Sequence, residues 1–429
     1  MARNSADRTE IWLSAGVRTP FAKVDGALSS FDAIALSVPV VKAMTAQLGG
    51  GEPDFVIWGC VAPNLTWSNI AREVLMEAGV PATIPAFSTI MACSTSMIGA
   101  FEAAGMLDDS TRTLALVGGV ESMSHIQLGL GLKLSDWVRG FQSARSLGQK
   151  FSHAVDLKFR DVKLYIPSVT NRATGLSMGE HTEITAKEWG IPREGQDRLA
   201  LESHQRAIAG WERGFFDDLV LPLGRTRSDG IPRKDTSLEK LSRLPPVFDR
   251  SSGKGTLSAG NSSPLTDGAA AVWVGSRKGV DRLPSSVARV RLIDWEIAAV
   301  DFRVEGLLMA PAFAIPRLLA RHGLTYEDIA LWEIHEAFAA QVLFHFKALE
   351  DKAVLRDKVR VDATFGVFPR ERVNPNGGSV AIGHPFGATG ARILSQAVKE
   401  LAARPAGSRA IVSICADGGQ GSVALLEAA

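Results

Sequence analysis

Cysteine is scarce in this chain. Three residues in 429, Cys60, Cys93 and Cys415, form an odd set with no closely spaced pair. That argues against a disulfide framework and for a reducing compartment, the cytoplasm. Net charge is nearly absent as well: 47 basic against 46 acidic residues leave +1, so no global attraction to nucleic acid or an anionic membrane is expected and any polyanion site must be local. Long apolar runs are missing too. The most apolar stretch, Gly306 to Ala320, is interrupted by Pro311, Pro316 and Arg317 and is shorter than a bilayer span, so no transmembrane segment is expected. The start of the chain mixes Asp7 and Glu10 with arginines and passes straight into IWLSAGV, which fits neither a secretory signal nor a transit peptide. CxxC and HxxxH spacings do not occur, and no metal site is expected.

What is present is ordinary for a globular protein, with 46% apolar and 22% charged residues. The length exceeds what one growing core accommodates, so subdomains sharing a large interior are expected. Apolar patterning predicts strands at Ile11 to Val17, Phe55 to Cys60 and Thr113 to Val117, and helices at Ala33 to Leu48 and Ile70 to Ala78. The segment from Ser124 to Leu176 alternates basic and aromatic residues, among them Lys133, Trp137, Arg139, Phe141 and Lys150, and reads as an insertion. It suits a solvated helical face or a contact with a partner or membrane surface. Arg193 to Arg213 has the spacing of a long surface helix, and Leu221 to Phe248 reads as an excursion before a strand at Ala269 to Val274.

The last third repeats the opening. Strand Ala288 to Ile293, helix Ala310 to Ala320, a helix opening near Tyr326 and strand Leu331 to Ile334 follow in order. Asp54 to Trp58 answers to Asp328 to Trp332, and Thr113 to Val117 before Gly118-Gly119 answers to Ala410 to Ile414 before Cys415. The result is an α/β chain of two related halves, in which the junction at Cys93 corresponds to the junction at His384 and the two face each other.

Cys93 sits where a short β-prone run, Phe87 to Met91, meets a helix pattern carried by Met97, Ile98, Phe101 and Ala104. Ser94, Thr95 and Ser96 are cap-type residues, and the N–H groups of a first helical turn favour a thiolate. A free cysteine is equally a small buried hydrophobe. In GHPFGATG, Gly383 to Gly390, three glycines and a proline hold His384 at a helix entrance, ahead of a helix from Ala388 to Leu401. Histidine is the usual general base near neutral pH, and a cysteine nucleophile needs one within hydrogen-bond reach. Cys415 lies at a strand end before ADGGQG, and His335, in HEAFA, starts a helix after a buried strand. Glycine collars of this kind suit close substrate approach.

Taken in order, Arg18-Thr19-Pro20-Phe21, Cys93, Gly118-Gly119 through Met123, Met178-Gly179, Ser203-His204, Gly255 to Asn261 with Ser263, His335 to Phe338, Asn376-Gly377-Gly378, GHPFGATG and CADGGQG resemble the thiolases over essentially the full length. HEAF, GHPFGATG and the central insertion look most like the β-subunit of fatty-acid oxidation complexes, a 3-ketoacyl-CoA thiolase.

The resemblance implies a duplicated five-layered α-β-α-β-α fold with an inserted loop domain. Residues 1–123 and 247–284 form the N-terminal half, 124–246 the insertion, and 285–429 the C-terminal half. It further implies that Cys93 is the acylated nucleophile, His384 its base and Cys415 the acid/base at the acetyl-CoA carbon. His335 with His384 stabilises an enolate oxygen, and backbone N–H groups of Cys93 and Asp417 hold the thioester oxyanion. Ser263 matches a pantetheine contact, and Met178 and Phe338 match channel positions; Arg225 and Arg227 are candidates for the CoA phosphates. Coenzyme A enters as co-substrate with no bound cofactor. A homodimer or homotetramer, with a dehydrogenase/hydratase partner subunit, is expected. Most thiolases carry asparagine at the position of His335 and a small residue at that of Asp417, where a carboxylate opposes developing negative charge unless it points away. Rival readings are an acetyl-CoA acetyltransferase, a decarboxylating ketoacyl synthase, which leaves Cys415 without a task, and a non-catalytic CoA-binding or complex-assembly subunit.

Overall fold

The computed structural model describes residues 9–156, 158–165 and 170–429, the side chains of 153–156 excepted; the N-terminal acidic residue Asp7 lies outside this range. Twelve strands are present among the described residues. They are β1 (Ile11–Ser14), β2 (Ala22–Lys23), β3 (Phe55–Cys60), β4 (Ala86–Phe87), β5 (Leu114–Glu121), β6 (Gly129–Leu130), β7 (Leu164–Tyr165), β8 (Thr266–Ser276), β9 (Arg289–Ala299), β10 (Leu331–Ile334), β11 (Arg409–Ala416) and β12 (Gln420–Glu427). Ten join in one ladder, ordered β10-β11-β12-β9-β1-β8-β5-β3-β4 with β2 beside β8.

That order contains its own duplication. In the first half β3 runs parallel to β5, and β5-β8-β1 continue antiparallel. The second half repeats it, with β10 parallel to β11 and β11-β12-β9 antiparallel. The halves meet where β1 pairs antiparallel with β9, Leu13 opposite Val290.

Both faces of each half-sheet are buried, so alternate side chains of one strand enter different cores. Leu13, Val117 and Val412 point into a central core, together with Met97 and Phe101 of helix Thr95–Met106 and Ile393 and Leu394 of helix Thr389–Ala402. Trp12 and Leu116 point into an outer core under helix Ala33–Ala46, and Ile411 and Trp332 into the opposite outer core under helix Ala310–Arg321. Outer helix, sheet, paired central helices, sheet and outer helix make five layers.

Several sequence expectations need correction. β5 runs through Gly118 and Gly119 instead of stopping before them. A Cβ on Gly118 would meet Trp58 of the same half, and one on Gly119 the Gly387 backbone of the other, so these glycines allow close packing and do not form a turn. Tyr326 opens only a 3-10 turn, Tyr326–Asp328. Helix Ala339–Glu350 begins after Phe338, which leaves His335 in a loop, and a short helix, Ser379–Ile382, stands where a strand was expected before His384. Helix Arg193–Glu212 is not simply a surface element: Asp197, Ala200, Ser203, His204 and Ala207 are buried along one face. Within 124–246, β6 and β7 form a separate two-stranded ladder, and helix Leu132–Ser143 carries no buried residue. The excursion is tied back by Arg18, whose guanidinium grips the Asp229 carboxylate at 2.6 and 2.7 Å while Phe21 N–H donates to the same carboxylate.

Candidate active site

Four structural ends converge. Cys93 precedes the first turn of helix Thr95–Met106, and the residue before it, Ala92, has φ 44°, a left-handed conformation rare for a side chain with a Cβ. Thr95 holds this turn, accepting from Met91 N–H at 2.9 Å and donating to Ala92 carbonyl at 2.8 Å. His335 follows β10 and its N–H donates to Ser413 of β11; two residues further along β11 is Cys415. His384 follows Gly383, whose φ of 111° suits glycine, and the His384 N–H donates to Thr266 Oγ1 of β8 at 3.0 Å.

The C-terminal junction is fastened to the N-terminal half through Glu121. This buried carboxylate accepts from the N–H groups of Val61, Ala62 and Gly387 and from the Cys60 thiol. Asn374 clamps the other junction, bridging Ile334 N–H and carbonyl and donating to Glu336 at 2.7 Å. Glu336 also accepts from Ser203 and from Val380 N–H. The glycines around His384 serve these contacts: a Cβ on Gly387 would meet the Val120 and Gly59 carbonyls, and one on Gly390 the Met97 backbone. They face protein, not a ligand, contrary to the expectation of a substrate collar.

Cys93 Sγ and one ring nitrogen each of His335 and His384 lie within 4.8 Å of one another. The imidazole centroids are 4.2 Å apart. His384 Nδ1 contacts Thr389 Oγ1 at 2.6 Å and His335 Nδ1 contacts Ser379 Oγ at 2.8 Å, while both Nε2 atoms are buried without a partner. Burial, then Arg392, lowers the His384 pKa to about 3; burial, then His384 and Arg392, takes His335 well below its usual value. Both rings are neutral at pH 7, so each carries one N–H and one lone pair able to accept a proton.

The thiol departs from the expected thiolate. Burial first, then the Asp417 and Glu121 carboxylates, push the Cys93 pKa up to about 12, and these outweigh its backbone hydrogen bond. Cys93 therefore rests protonated and needs a base. Cys415 is raised well above the ordinary thiol value by burial and by Cys93. Asp417 accepts from Gly418 N–H at 2.6 Å and Asn171 Nδ2 at 3.3 Å, yet still acts on Cys93 through its charge. Ser94 gives no helix cap; its hydroxyl bonds Ser422.

A cleft of about 430 Å³ is lined by Ser263, Phe248, Lys23, Arg233, His204 and Val380, among others. Leu265, also in its wall, bridges to His384. Ser263 is held by Ala337 carbonyl at 2.9 Å. Phe338 packs edge-on against Phe248 at 5.8 Å, and Gly179, next to Met178, leaves room for the Phe248 ring. Arg225 and Arg227 are not in the cleft wall; they sit on an exposed turn closed by Leu223 and Thr226. Lys23 and Arg233 are the cations that do line it. Sequence patterning gave no signal for Arg233, which lies in the charged excursion, whereas Thr389 is part of GHPFGATG and Ser379 lies four residues before it.

Known proteins share this arrangement. Residues 11–278 match the family described as thiolase, N-terminal domain, and 287–428 match thiolase, C-terminal domain. The 3-ketoacyl-CoA thiolase of Yersinia enterocolitica is 35% identical over 428 residues, 97% of this chain and 96% of that protein. That of Yersinia pestis is 36% identical over 423 residues, 96% and 95% of the two chains. Among solved structures, the Bacillus anthracis acetyl-CoA acetyltransferase superposes with a TM-score of 0.80 at 30% identity, covering 99% of this chain and 100% of that one. The Ascaris suum Acat5 thiolase in complex with coenzyme A gives 0.77 at 28% identity, covering 98% and 100%. With both domain families matched nearly end to end and the Cys, His, His and Cys residues gathered at the junction of its halves, the chain belongs to the thiolase family.

Proposed function

We propose that this protein is a 3-ketoacyl-CoA thiolase that cleaves its substrate with CoA to acetyl-CoA and an acyl-CoA two carbons shorter, through an acyl-Cys93 intermediate, in fatty-acid β-oxidation. The observation that carries the residue roles is the cluster of Cys93 Sγ with one ring nitrogen of each of two buried imidazoles within 4.8 Å.

His384 Nε2 takes the Cys93 proton as the sulfur attacks C3 of the substrate. The resulting oxyanion is received by the backbone N–H groups of Cys93 and Asp417. The C2–C3 bond breaks, its electron pair becomes the enolate of acetyl-CoA, and Cys415 protonates C2. The enolate oxygen is held by His335 and by His384, now protonated. CoA then gives its thiol proton to the Cys415 thiolate and attacks the acyl-cysteine; the Cys93 thiolate leaves and recovers its proton from His384. The high Cys93 pKa fits this sequence, because ionisation is coupled to attack.

CoA is the co-substrate, as in thiolases generally. Its pantetheine arm runs past Ser263 between Met178, Phe248 and Phe338, and its phosphates meet Lys23 and Arg233 in preference to Arg225 and Arg227. Residues 124–246 act as an inserted loop domain for CoA and partner contacts. A homodimer or homotetramer is the working assembly, joined in the cell by a dehydrogenase/hydratase subunit. Three free cysteines support the cytoplasm as its compartment. No helix among the described residues is long and apolar enough to cross a membrane.

Thiolysis of 3-ketoacyl-CoAs of graded chain length by the native enzyme and by Cys93→Ala tests this reading. Loss of essentially all turnover in the variant, with CoA binding kept, is expected; retained turnover sinks the mechanism. Activity confined to acetoacetyl-CoA identifies instead the acetyl-CoA acetyltransferase that the Bacillus anthracis relative represents.

A further inference from the structure

Each active-site imidazole turns one ring nitrogen to a hydroxyl and the other, buried and unpartnered, toward the reacting atoms. The two hydroxyls are not equivalent. Thr389 Oγ1 donates its single proton to the Pro385 carbonyl at 2.9 Å. At its 2.6 Å contact with His384 Nδ1 it can therefore only accept, so His384 carries its proton on Nδ1 and leaves Nε2 bare. Ser379 Oγ accepts from Arg392, whose Nη2 lies 2.6 Å away and which has no lone pair to offer. Of the two partners of Ser379 Oγ, only His335 Nδ1, 2.8 Å distant, can accept its proton, and taking it would place the His335 proton on Nε2.

We propose that Ser379, held by Arg392, and Thr389 are positioning residues that fix the two imidazoles in opposite tautomers: His384 as proton acceptor for Cys93, His335 as hydrogen-bond donor to the enolate oxygen. The part assigned to the enolate rests on the thiolase reading above; the tautomers themselves do not. Three features hold the arrangement. Arg392 is 2% exposed and is fixed a second time by Gln396 Oε1 at 3.2 Å. Burial lowers the Arg392 pKa only to about 10, partly offset by Glu333 and Glu336, so the guanidinium stays a cation at pH 7. One nitrogen of each ring lies within 4.8 Å of one on the other, and the ring centroids are 4.2 Å apart, so a bare nitrogen facing an N–H is favourable and two N–H groups repel. The inference also gives His335 a task distinct from that of a second base, because its lone pair is occupied on the far side of the ring.

Neutron diffraction from crystals of the native enzyme exchanged into deuterated water reads the tautomers directly. Deuterium on His335 Nε2 and on His384 Nδ1 is expected; deuterium on His335 Nδ1 overturns the proposal. That readout needs no turnover, so it stands or falls apart from the assignment of activity. Kinetics of Ser379→Ala supply a second arm. Cleavage of 3-ketoacyl-CoA, which generates the enolate, should fall on the order of 10- to 100-fold in kcat with little change in KM, the size typical of partners that orient a working histidine. Exchange of labelled CoA into a simple acyl-CoA passes through acyl-Cys93 without an enolate and should fall less. Equal losses in both reactions, or a loss in neither, overturn the role given to Ser379.

Discussion

Ser96 Oγ accepts the N–H of Ala391 at 2.8 Å, joining the first turns of the two central helices across 295 residues of chain. Cys93 lies just ahead of the first of these turns and His384, the base proposed for it, five residues ahead of the second. Gly390 lies against Met97 in the same contact, where a Cβ would collide with backbone. The alignment of thiol and base is thus a property of how the two helix starts pack together.

Ser96→Ala removes the acceptor and leaves the Ala391 N–H buried without a partner. A loss of about 1–3 kcal/mol in unfolding free energy is expected, read by urea denaturation. Turnover should fall more than CoA affinity, since the cleft residues belong to other elements. Unchanged stability and turnover would show that the bond contributes nothing.

Gly119→Ala places a methyl group against the Gly387 backbone, the segment that carries His384. Overpacking of this kind costs about 1–3 kcal/mol. The expected result is a lowered melting temperature together with slower turnover, because the displaced segment includes the base. Gly105→Ala, at a helical glycine with open space around it, serves as control and should be neutral or stabilising.

Asp417→Asn deletes a negative charge that, after burial, is the main influence raising the Cys93 thiol. Removing it favours the thiolate, so the pKa moves below the native value of about 12. Inactivation by iodoacetamide followed against pH should shift to lower pH in the variant. A profile that coincides with the native one would mean that the carboxylate is screened from the sulfur.

His345 is buried, its Nε2–H donating to the Leu308 carbonyl at 2.6 Å, and burial lowers its pKa from 6.5 to about 4. In the unfolded chain it takes up a proton as pH falls below about 6.5, whereas the folded form resists until about 4. Stability is therefore complete above pH 6.5 and is lost between these limits, at up to about 1.4 kcal/mol per pH unit for this group. His345→Gln should flatten the slope of unfolding free energy against pH in that window relative to the native protein, and equal slopes would refute the assignment.

Much of this protein can be read from its residues. Short runs buried on both faces, Phe55–Cys60 and Leu331–Ile334, identify these strands to the residue, and the repeated order of strands and glycines identifies two halves. GHPFGATG and CADGGQG name the chemistry, because few tasks call for a histidine and a thiol among so many small residues. Local patterning goes no further than what each segment prefers alone. Gly118-Gly119 looked like a strand end because glycine is a turn residue by local propensity, and only the approach of Trp58 and Gly387 reveals why the strand continues. A helix start favours a thiolate at Cys93; burial, with the carboxylates of Asp417 and Glu121 distant in sequence, reverses the sign. Arg225 and Arg227 carry the right charge but are not in the wall of the cleft that Lys23 and Arg233 line. The sequence by itself determined which thiols and imidazoles are candidates for the chemistry and the architecture that holds them. Only the tertiary structure decided their protonation, the hydroxyls their rings meet and which cations line the cleft, because these depend on burial and on hydrogen bonds between residues that meet only when the two halves pack together.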